Sequence, residues 1–183
     1  MPAASDTRSR KMTALAGFMG AGKTSVGRAL AQQMGWHFTD LDSRIEEFSG
    51  LEIPDFFERL GEVHFRAVEH QLLQAAVREA GDRDPGTVIA LGGGTFAQPQ
   101  NIEFLRASGV SVVWLECPLD LLFSRCATVI NRPLFRDETG FRTLYSERLP
   151  FYQQAEFRVD SSDEPRRVAA RILALGIFEQ VKV

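Results

Sequence analysis

The stretch GFMGAGKT, residues 17–24, is the feature that most restricts how this chain can fold. It fits the pattern G-x-x-x-x-G-K-[ST] in full. Such a loop follows a buried strand and opens a helix, so that main-chain N–H groups and the positive helix end surround a polyphosphate. The preceding segment KMTALAG is typical of the strand, and residues 24–34 are typical of the helix. The motif therefore predicts an α/β fold that binds a nucleotide; a glycine-rich turn without a ligand is the alternative.

Strand-like and helical segments alternate along the rest of the chain. Strands are predicted at 11–17, 36–42, 87–94, 110–117 and 156–161. Helices are predicted at 24–34, 43–48, 62–80, 99–108 and 119–126, within 141–152 and from Pro165 onward, with short turns at 53–61. Five strands separated by helices predict a three-layer, doubly wound α/β fold with a mostly parallel sheet. We expect residues 1–10 to be a flexible tail and 11–183 to form one domain, in which about 127–139 is a mobile lid.

Composition narrows the classes of partner and compartment. The net charge is −3 and the isoelectric point is near 5.7, which argues against nucleic acid as the main partner. No apolar run approaches the roughly 18 residues needed to span a membrane. The two cysteines, Cys117 and Cys126, predict reduced thiols in a cytoplasmic protein. A cleaved signal peptide is disfavoured, because its removal would destroy the loop at 17–24.

The next question is which group accepts the terminal phosphate of the nucleotide: water or a second substrate. The chain has no guanine-reading N-K-x-D motif, and its candidate run VIALGGG has Ala90 where motor ATPases usually carry an acidic residue. The acidic pair at a predicted strand end is Asp40 and Asp42, and residues two apart in an extended segment face the same side. We expect one carboxylate in a Mg²⁺ shell and the other on a substrate hydroxyl. For Asp42, capping the helix that starts at 43 is the alternative.

Three further features predict an anionic acceptor in the same cleft. The triple glycine 92–94 offers exposed N–H groups and close backbone approach, with a purely structural loop as the alternative. Arg148 lies within an apolar helical stripe, where a cation needs an anion. Arg66 lies beside such a stripe, but a surface ion pair with Glu69 is the simpler reading of that residue alone. Arg132 lies in the predicted lid, where it can close over a transferring phosphoryl group or remain a solvated loop residue.

Taken together, the motifs GFMGAGKTSVG, DLD, FRAVE, LGGG, NRPL and ERLPFY resemble those of the shikimate kinase family in order and spacing. The resemblance covers roughly residues 12–174. It implies a P-loop kinase fold and transfer of the ATP γ-phosphate to the 3-hydroxyl of shikimate, with Mg²⁺, in aromatic amino-acid biosynthesis. The phosphate loop alone is shared by many unrelated enzymes, whereas the rest of the series is far more selective.

The resemblance also implies a role for each matching residue. Asp42 resembles the residue that binds the ring hydroxyls and orients or deprotonates the nucleophile. Asp40 is similar to the aspartate of the Mg²⁺ water shell. Arg66 and Arg148 resemble the pair that clamps the substrate carboxylate, and Arg132 resembles the lid arginine that reaches substrate and phosphate.

The remaining implied roles concern the nucleotide and the substrate ring. Arg125 resembles the residue that packs on adenine, and the glycines resemble the backbone contacts to the substrate. The implied catalytic residues are Lys23, Asp42 and Arg132. The implied substrate site is Asp42, Arg66, Gly92, Gly93, Gly94 and Arg148, with Ile53, Phe57 and Phe65 as apolar walls. The implied nucleotide site is Gly20, Ala21, Gly22, Lys23, Thr24, Ser25, Arg125 and Arg132, and the implied metal site is Thr24 and Asp40.

The sequence departs from the family pattern at two positions, and two alternative functions are open at this point. Ala90 stands where many relatives carry a small polar residue, and Arg136 makes the lid more basic than usual. The alternatives are another small-molecule P-loop kinase, acting on gluconate or a nucleoside monophosphate, and a non-catalytic nucleotide-binding paralogue. We expect a monomer whose partners are shikimate and ATP, with no nucleic acid or membrane.

Overall fold

The structure is a computed structural model that describes residues 11–127 and 138–178. Five strands form one sheet in the order β2-β3-β1-β4-β5, and every pairing is parallel. The strands are β1 Met12–Ala16, β2 His37–Asp40, β3 Thr87–Ala90, β4 Ser111–Glu116 and β5 Phe157–Asp160. The central strands are buried on both faces, which explains their continuous apolar sequences. The predicted parallel α/β sheet is confirmed.

In the part of the chain that the structure describes, seven helices and one short 3-10 turn connect and follow these strands. They are α1 Lys23–Met34, α2 Leu41–Ser49, α3 Ile53–Gly81, the turn Thr95–Ala97, α4 Pro99–Ala107, α5 Leu119–Ala127, α6 Glu138–Tyr152 and α7 Pro165–Leu173. Within the described residues, the predicted elements differ from these mainly by one to three residues at their ends. Strand 87–94 was predicted too long, because the sheet pairing ends at Ala90 and the glycines form a loop.

Helices α3 and α6 each contain a residue that is unfavourable inside a helix. Residues 53–60 are helical, where short turns were predicted, and a break at Gly61, with φ 79° and ψ 166°, separates them from the rest of α3. In α6, Pro150 lies inside the helix, which extends two residues beyond it to Tyr152. A proline so close to the end removes only one main-chain hydrogen bond, and burial of Tyr152 holds the last turn in place.

The strand order places the helices on two faces of the sheet. The connection from β1 to β2 runs in one direction across the sheet, and the connections from β2 to β3, β3 to β4 and β4 to β5 run in the other. Because parallel crossovers are right-handed, α1 lies on one face and α3 and α4 lie on the opposite face. Helix α7 packs against α1. The connections that follow the neighbouring strands β1 and β3 therefore leave in opposite directions across the sheet. Ligands bind in the crevice at such a point in open α/β sheets.

Candidate active site

The loop after β1 has the conformation that phosphate binding requires. Gly22 is the N-cap of α1 with φ 87°, a left-handed conformation that favours glycine, and its carbonyl accepts from Val26 N at 2.8 Å. Lys23 Nζ donates to the carbonyl oxygens of Gly17 at 2.9 Å and Phe18 at 3.0 Å. The ammonium group is therefore held inside the loop, next to the N-terminus of α1, where an anion is favoured.

Thr24 and Asp40 form an oxygen pair beside this loop. Thr24 Oγ1 donates to Asp40 Oδ2 at 2.6 Å, and Asp40 Oδ1 accepts from Ser43 N at 3.2 Å. A hydroxyl and a carboxylate are the hard oxygen ligands that suit Mg²⁺, which also retains waters and phosphate oxygens. The donor set at this position fits the expected metal.

The two aspartates converge for a different reason from the one the sequence suggested. Strand β2 ends at Asp40, and Asp42 already lies in the first turn of α2, so the two do not share one face of an extended segment. The helix N-cap is Asp40, whereas capping had been considered for Asp42. Both side chains nevertheless line one cleft. The turn from β2 into α2, rather than an extended segment, brings them there.

The glycine loop after β3 brings the acidic residue and both arginines together. A Cβ atom added to Gly92 would lie 2.5 Å from Asp42 Oδ1, and one added to Gly94 would lie 2.6 Å from Arg66 Nη2. One added to Gly93 would lie 3.7 Å from Arg148 Nη1. The side chains of Asp42 and Arg66 thus approach the backbone at Gly92 and Gly94 so closely that a Cβ atom at either position would force a shift.

Arg66 is held by an ion pair that is not on the surface. Its Nη1 donates to Glu69 Oε2 at 2.8 Å, and Glu69 is 1% exposed. The other carboxylate oxygen of Glu69 accepts from Thr95 Oγ1 at 2.7 Å, which ties the helix to the end of the glycine loop. The predicted pairing of Arg66 with Glu69 is present, but its surface location was wrong. The motif FRAVE contains Glu69, so its helical spacing from Arg66 was the available signal.

Arg148 meets the same loop from α6. Its Nη1 donates to the carbonyl oxygen of Gly93 at 3.1 Å, and its guanidinium lies 5.7 Å from the ring centroid of Phe18. Tyr152, one turn later, donates its hydroxyl to the same Gly93 oxygen at 2.6 Å. Sequence reasoning treated Tyr152 only as an apolar member of a helical stripe, because a buried phenol gives no separate pattern.

A cleft of about 290 Å³ runs between the phosphate loop and the glycine loop. Its lining is Met19, Gly20, Gly22, Lys23, Thr24, Ser25, Asp40, Asp42, Leu91, Gly93, Arg125 and Cys126. Arg125 Nη1 donates to the carbonyl oxygens of Gly20 and Ser161, both at 3.2 Å, so this arginine lies at the nucleotide end. Arg132 and most of the predicted lid at 127–139, like the tail at 1–10, lie outside the described residues.

The family model for shikimate kinase matches residues 19–175 of the chain. The chain belongs to the shikimate kinase family. It is therefore an enzyme that phosphorylates shikimate with ATP. The shikimate kinase of Synechococcus sp. strain CC9605 is 41% identical over 166 residues, covering 88% of this chain and 80% of the relative. That of Persephonella marina is 34% identical, covering 87% of this chain and 94% of the relative.

Solved structures agree with this assignment. Shikimate kinase from Acinetobacter baumannii, solved in complex with shikimate, has a TM-score of 0.82 and 36% identity, covering 94% of this chain and 97% of that one. The predicted P-loop kinase fold is thus confirmed. A gluconokinase from Sinorhizobium meliloti 1021 has a TM-score of 0.57 at 19% identity, which shows a shared fold alone.

An aromatic pair on α3 and a buried alanine at the end of β3 lie near the residues described above. The rings of Phe57 and Phe65 lie 4.3 Å apart between centroids, and the guanidinium of Arg66 lies 5.3 Å from the Phe65 ring. Ala90 is the register partner of Asp40 across β2 and β3 and is buried. In residues 11–127 and 138–178, no helix combines the length and apolar character needed to cross a membrane.

Proposed function

We propose that the described cleft performs the family reaction, with ATP over the loop at 17–24 and shikimate over the glycine loop. The γ-phosphoryl group passes to the 3-hydroxyl of shikimate and gives shikimate 3-phosphate and ADP. The observation that carries this proposal is the convergence at residues 92–94, where Asp42, Arg66 and Arg148 meet three consecutive glycines. Two guanidinium groups match a carboxylate, and a neighbouring aspartate matches a ring hydroxyl.

The nucleotide half of the reaction rests on the phosphate loop. Residues Gly20–Ser25 surround the phosphates with main-chain N–H groups, and Lys23 places its charge near the transferring group. The residues that would hold Mg²⁺ are Thr24 and Asp40, and bound Mg²⁺ supplies positive charge to the phosphate oxygens. Arg125 lies at the end of the cleft that we assign to adenine.

The acceptor half rests on orientation. Asp42 accepts a hydrogen bond from the 3-hydroxyl and directs its oxygen toward the γ-phosphorus. Arg66 and Arg148 hold the carboxylate, and the N–H groups of the glycine loop border the ring. Phe57 and Phe65 supply the apolar wall, and their packing against Arg66 limits where the ring can lie. Most of the catalysis comes from alignment and charge neutralisation rather than from a covalent intermediate.

The rest of the predicted organisation is part of the same proposal. Residues 11–183 act as one kinase domain whose lid, at about 127–139, brings Arg132 to the phosphates and excludes water. The enzyme is proposed to work as a monomer. Its cysteines Cys117 and Cys126 are both buried and are not joined in a disulfide, in keeping with a cytoplasmic location. Its net charge of −3 favours small-molecule partners over nucleic acid or an anionic membrane.

The test is release of ADP from ATP and Mg²⁺, measured with and without shikimate. We expect turnover that depends on shikimate and is absent with gluconate or a nucleoside monophosphate. Turnover with either of those acceptors in place of shikimate would identify another small-molecule kinase. Nucleotide binding without turnover on any acceptor would identify a non-catalytic paralogue. Light scattering at assay concentration tests the monomer.

A further inference from the structure

The carbonyl oxygen of Gly93 receives two donors from one helix. Tyr152 donates its hydroxyl at 2.6 Å, and Arg148 donates Nη1 at 3.1 Å. A carbonyl oxygen has two lone pairs, so these two donors saturate it. The carbonyls on either side are held by the main chain, since Gly92 O accepts from Thr95 N at 3.2 Å and Gly94 O accepts from Ala97 N at 3.1 Å. All three carbonyl oxygens of the loop therefore accept a hydrogen bond within the protein, and that of Gly93 accepts two from side chains of α6.

Tyr152 is built to make this contact permanently. Its side chain is fully buried, and its ring stacks on Trp114 of β4 with 6.2 Å between centroids and 23° between planes. Burial raises the pKa of its phenol to about 12, so the hydroxyl remains a donor at every pH at which such an enzyme works. A phenylalanine would fill the same space, and the only group it would lack is the one that reaches Gly93.

The shared acceptor also determines how Arg148 is used. A guanidinium group has five N–H donors in a fixed planar arrangement. Because the shorter bond from Tyr152 occupies one side of the Gly93 oxygen, Arg148 contacts that oxygen through Nη1 at a longer distance. The Tyr152 hydroxyl and the Arg148 guanidinium thus meet at one oxygen, which links both side chains to the Gly93 peptide.

We propose that Tyr152 is a positioning residue for the phosphoryl acceptor. It acts through the Gly93 carbonyl, fixing the orientation of the glycine-loop N–H groups and of the Arg148 guanidinium toward the acceptor carboxylate. This inference rests on the proposed function, because it concerns shikimate at that site. It assigns to the end of α6 a part in acceptor affinity and none in nucleotide affinity.

The test is Tyr152→Phe, with Tyr145→Phe as the matched control. Tyr145 lies on the same helix and packs edge-on against Phe18 with 5.3 Å between centroids, so the control deletes the same atom elsewhere. We expect Tyr152→Phe to raise the KM for shikimate about tenfold and to leave the KM for ATP within about twofold. Tyr145→Phe is expected to leave both constants unchanged. A melting temperature lowered by no more than about 4 °C would show that the variant is folded.

A double variant distinguishes a positioning role of Tyr152 from a purely structural one. In the Arg148→Ala background, the additional change Tyr152→Phe should raise the shikimate Kd less than about threefold, because the two residues share one acceptor. Wild-type KM values in Tyr152→Phe, or equal losses for ATP and shikimate, would overturn the inference. If the variant melts near assay temperature, the Kd values are measured at low temperature with the same criteria. Failure of wild-type enzyme to turn over shikimate would instead overturn the proposed function.

Discussion

The two halves of the cleft are built in opposite ways. The proposed nucleotide half is centred on one continuous loop, residues 17–24, with Lys23 inside it, and only Asp40 and Arg125 are added to it from other described elements. The acceptor half is assembled from α2, α3, α6 and the loop after β3, and side chains from distant parts of the sequence meet over three glycines. A continuous loop keeps its function wherever a strand and a helix flank it. An assembled site depends on the packing of every element that contributes, so small changes there should alter the acceptor without altering the nucleotide.

The largest effect is expected at Lys23. Lys23→Ala removes the charge that lies inside the phosphate loop, and we expect kcat to fall about 10³-fold and nucleotide affinity to fall with it. Lys11→Ala is the control, because Lys11 Nζ forms an exposed ion pair with Asp84 at 2.7 Å. Steady-state ADP release and nucleotide titration measure both constants. A Lys23→Ala enzyme that loses only shikimate affinity would break the division between the halves.

Asp42→Asn should have the next largest effect. It keeps the size of the side chain beside Gly92 but removes the negative charge, so we expect kcat to fall about 10²-fold with the ATP Kd nearly unchanged. Asp82→Asn, at the exposed C-terminal end of α3, is the matched control and should retain full activity. Unchanged kcat in Asp42→Asn would remove the acidic group from the acceptor half.

Arg66→Ala and Arg148→Ala test the carboxylate clamp. Each loses charged hydrogen bonds to the acceptor, and we expect the shikimate Kd to rise about 30-fold while the ATP Kd stays the same. Arg78→Ala, on the exposed side of α3, provides the control. Isothermal titration with each ligand separately gives the comparison. Equal losses of the two affinities would contradict the assigned roles.

Gly94→Ala tests the acceptor half without replacing any charged residue. The backbone at Gly94 has φ −106°, which any residue adopts, but the new Cβ would lie 2.6 Å from Arg66 Nη2 and 2.8 Å from Nη1. The guanidinium must shift, so we expect the shikimate KM to rise about tenfold at constant ATP KM. Gly81→Ala is the matched control, because a Cβ there meets no heavy atom within 4 Å. A Gly94→Ala enzyme with wild-type shikimate KM would show that Arg66 has room to adjust.

The smallest effect concerns stability at alkaline pH. The pKa of Tyr152 is raised to about 12 by burial, whereas tyrosine in an unfolded chain ionises near pH 10. Above pH 10 the unfolded chain loses a proton that the folded chain keeps, so this contribution is complete below pH 10 and is lost between pH 10 and 12. From pH 9 to 11, the free energy of unfolding should fall by about 1 kcal/mol more in wild type than in Tyr152→Phe. Urea titrations at each pH measure the difference, and parallel curves would exclude it.

The sequence by itself determined the fold class and the order of the elements, and it named the candidate phosphate loop. Glycine, lysine and threonine at fixed spacing have their effect within a few residues of main chain, and apolar periodicity is likewise local. The parallel sheet, the strand ends and the candidate residues of the phosphate loop could therefore be predicted without a structure. Local patterns singled out Asp42, the triple glycine and Arg148 as candidates, but the role of each toward one acceptor was taken from the family resemblance, because no local pattern links Asp42 to Arg148.

Only the tertiary structure decided how the acceptor half is held. It showed that Asp40, not Asp42, caps α2, that the Arg66–Glu69 pair is buried, and that Tyr152 reaches Gly93. Each of these facts depends on which side chain faces which neighbour across the fold. Burial and hydrogen bonding between distant segments are set by the packing of the helices on the sheet, and sequence spacing carries no record of them.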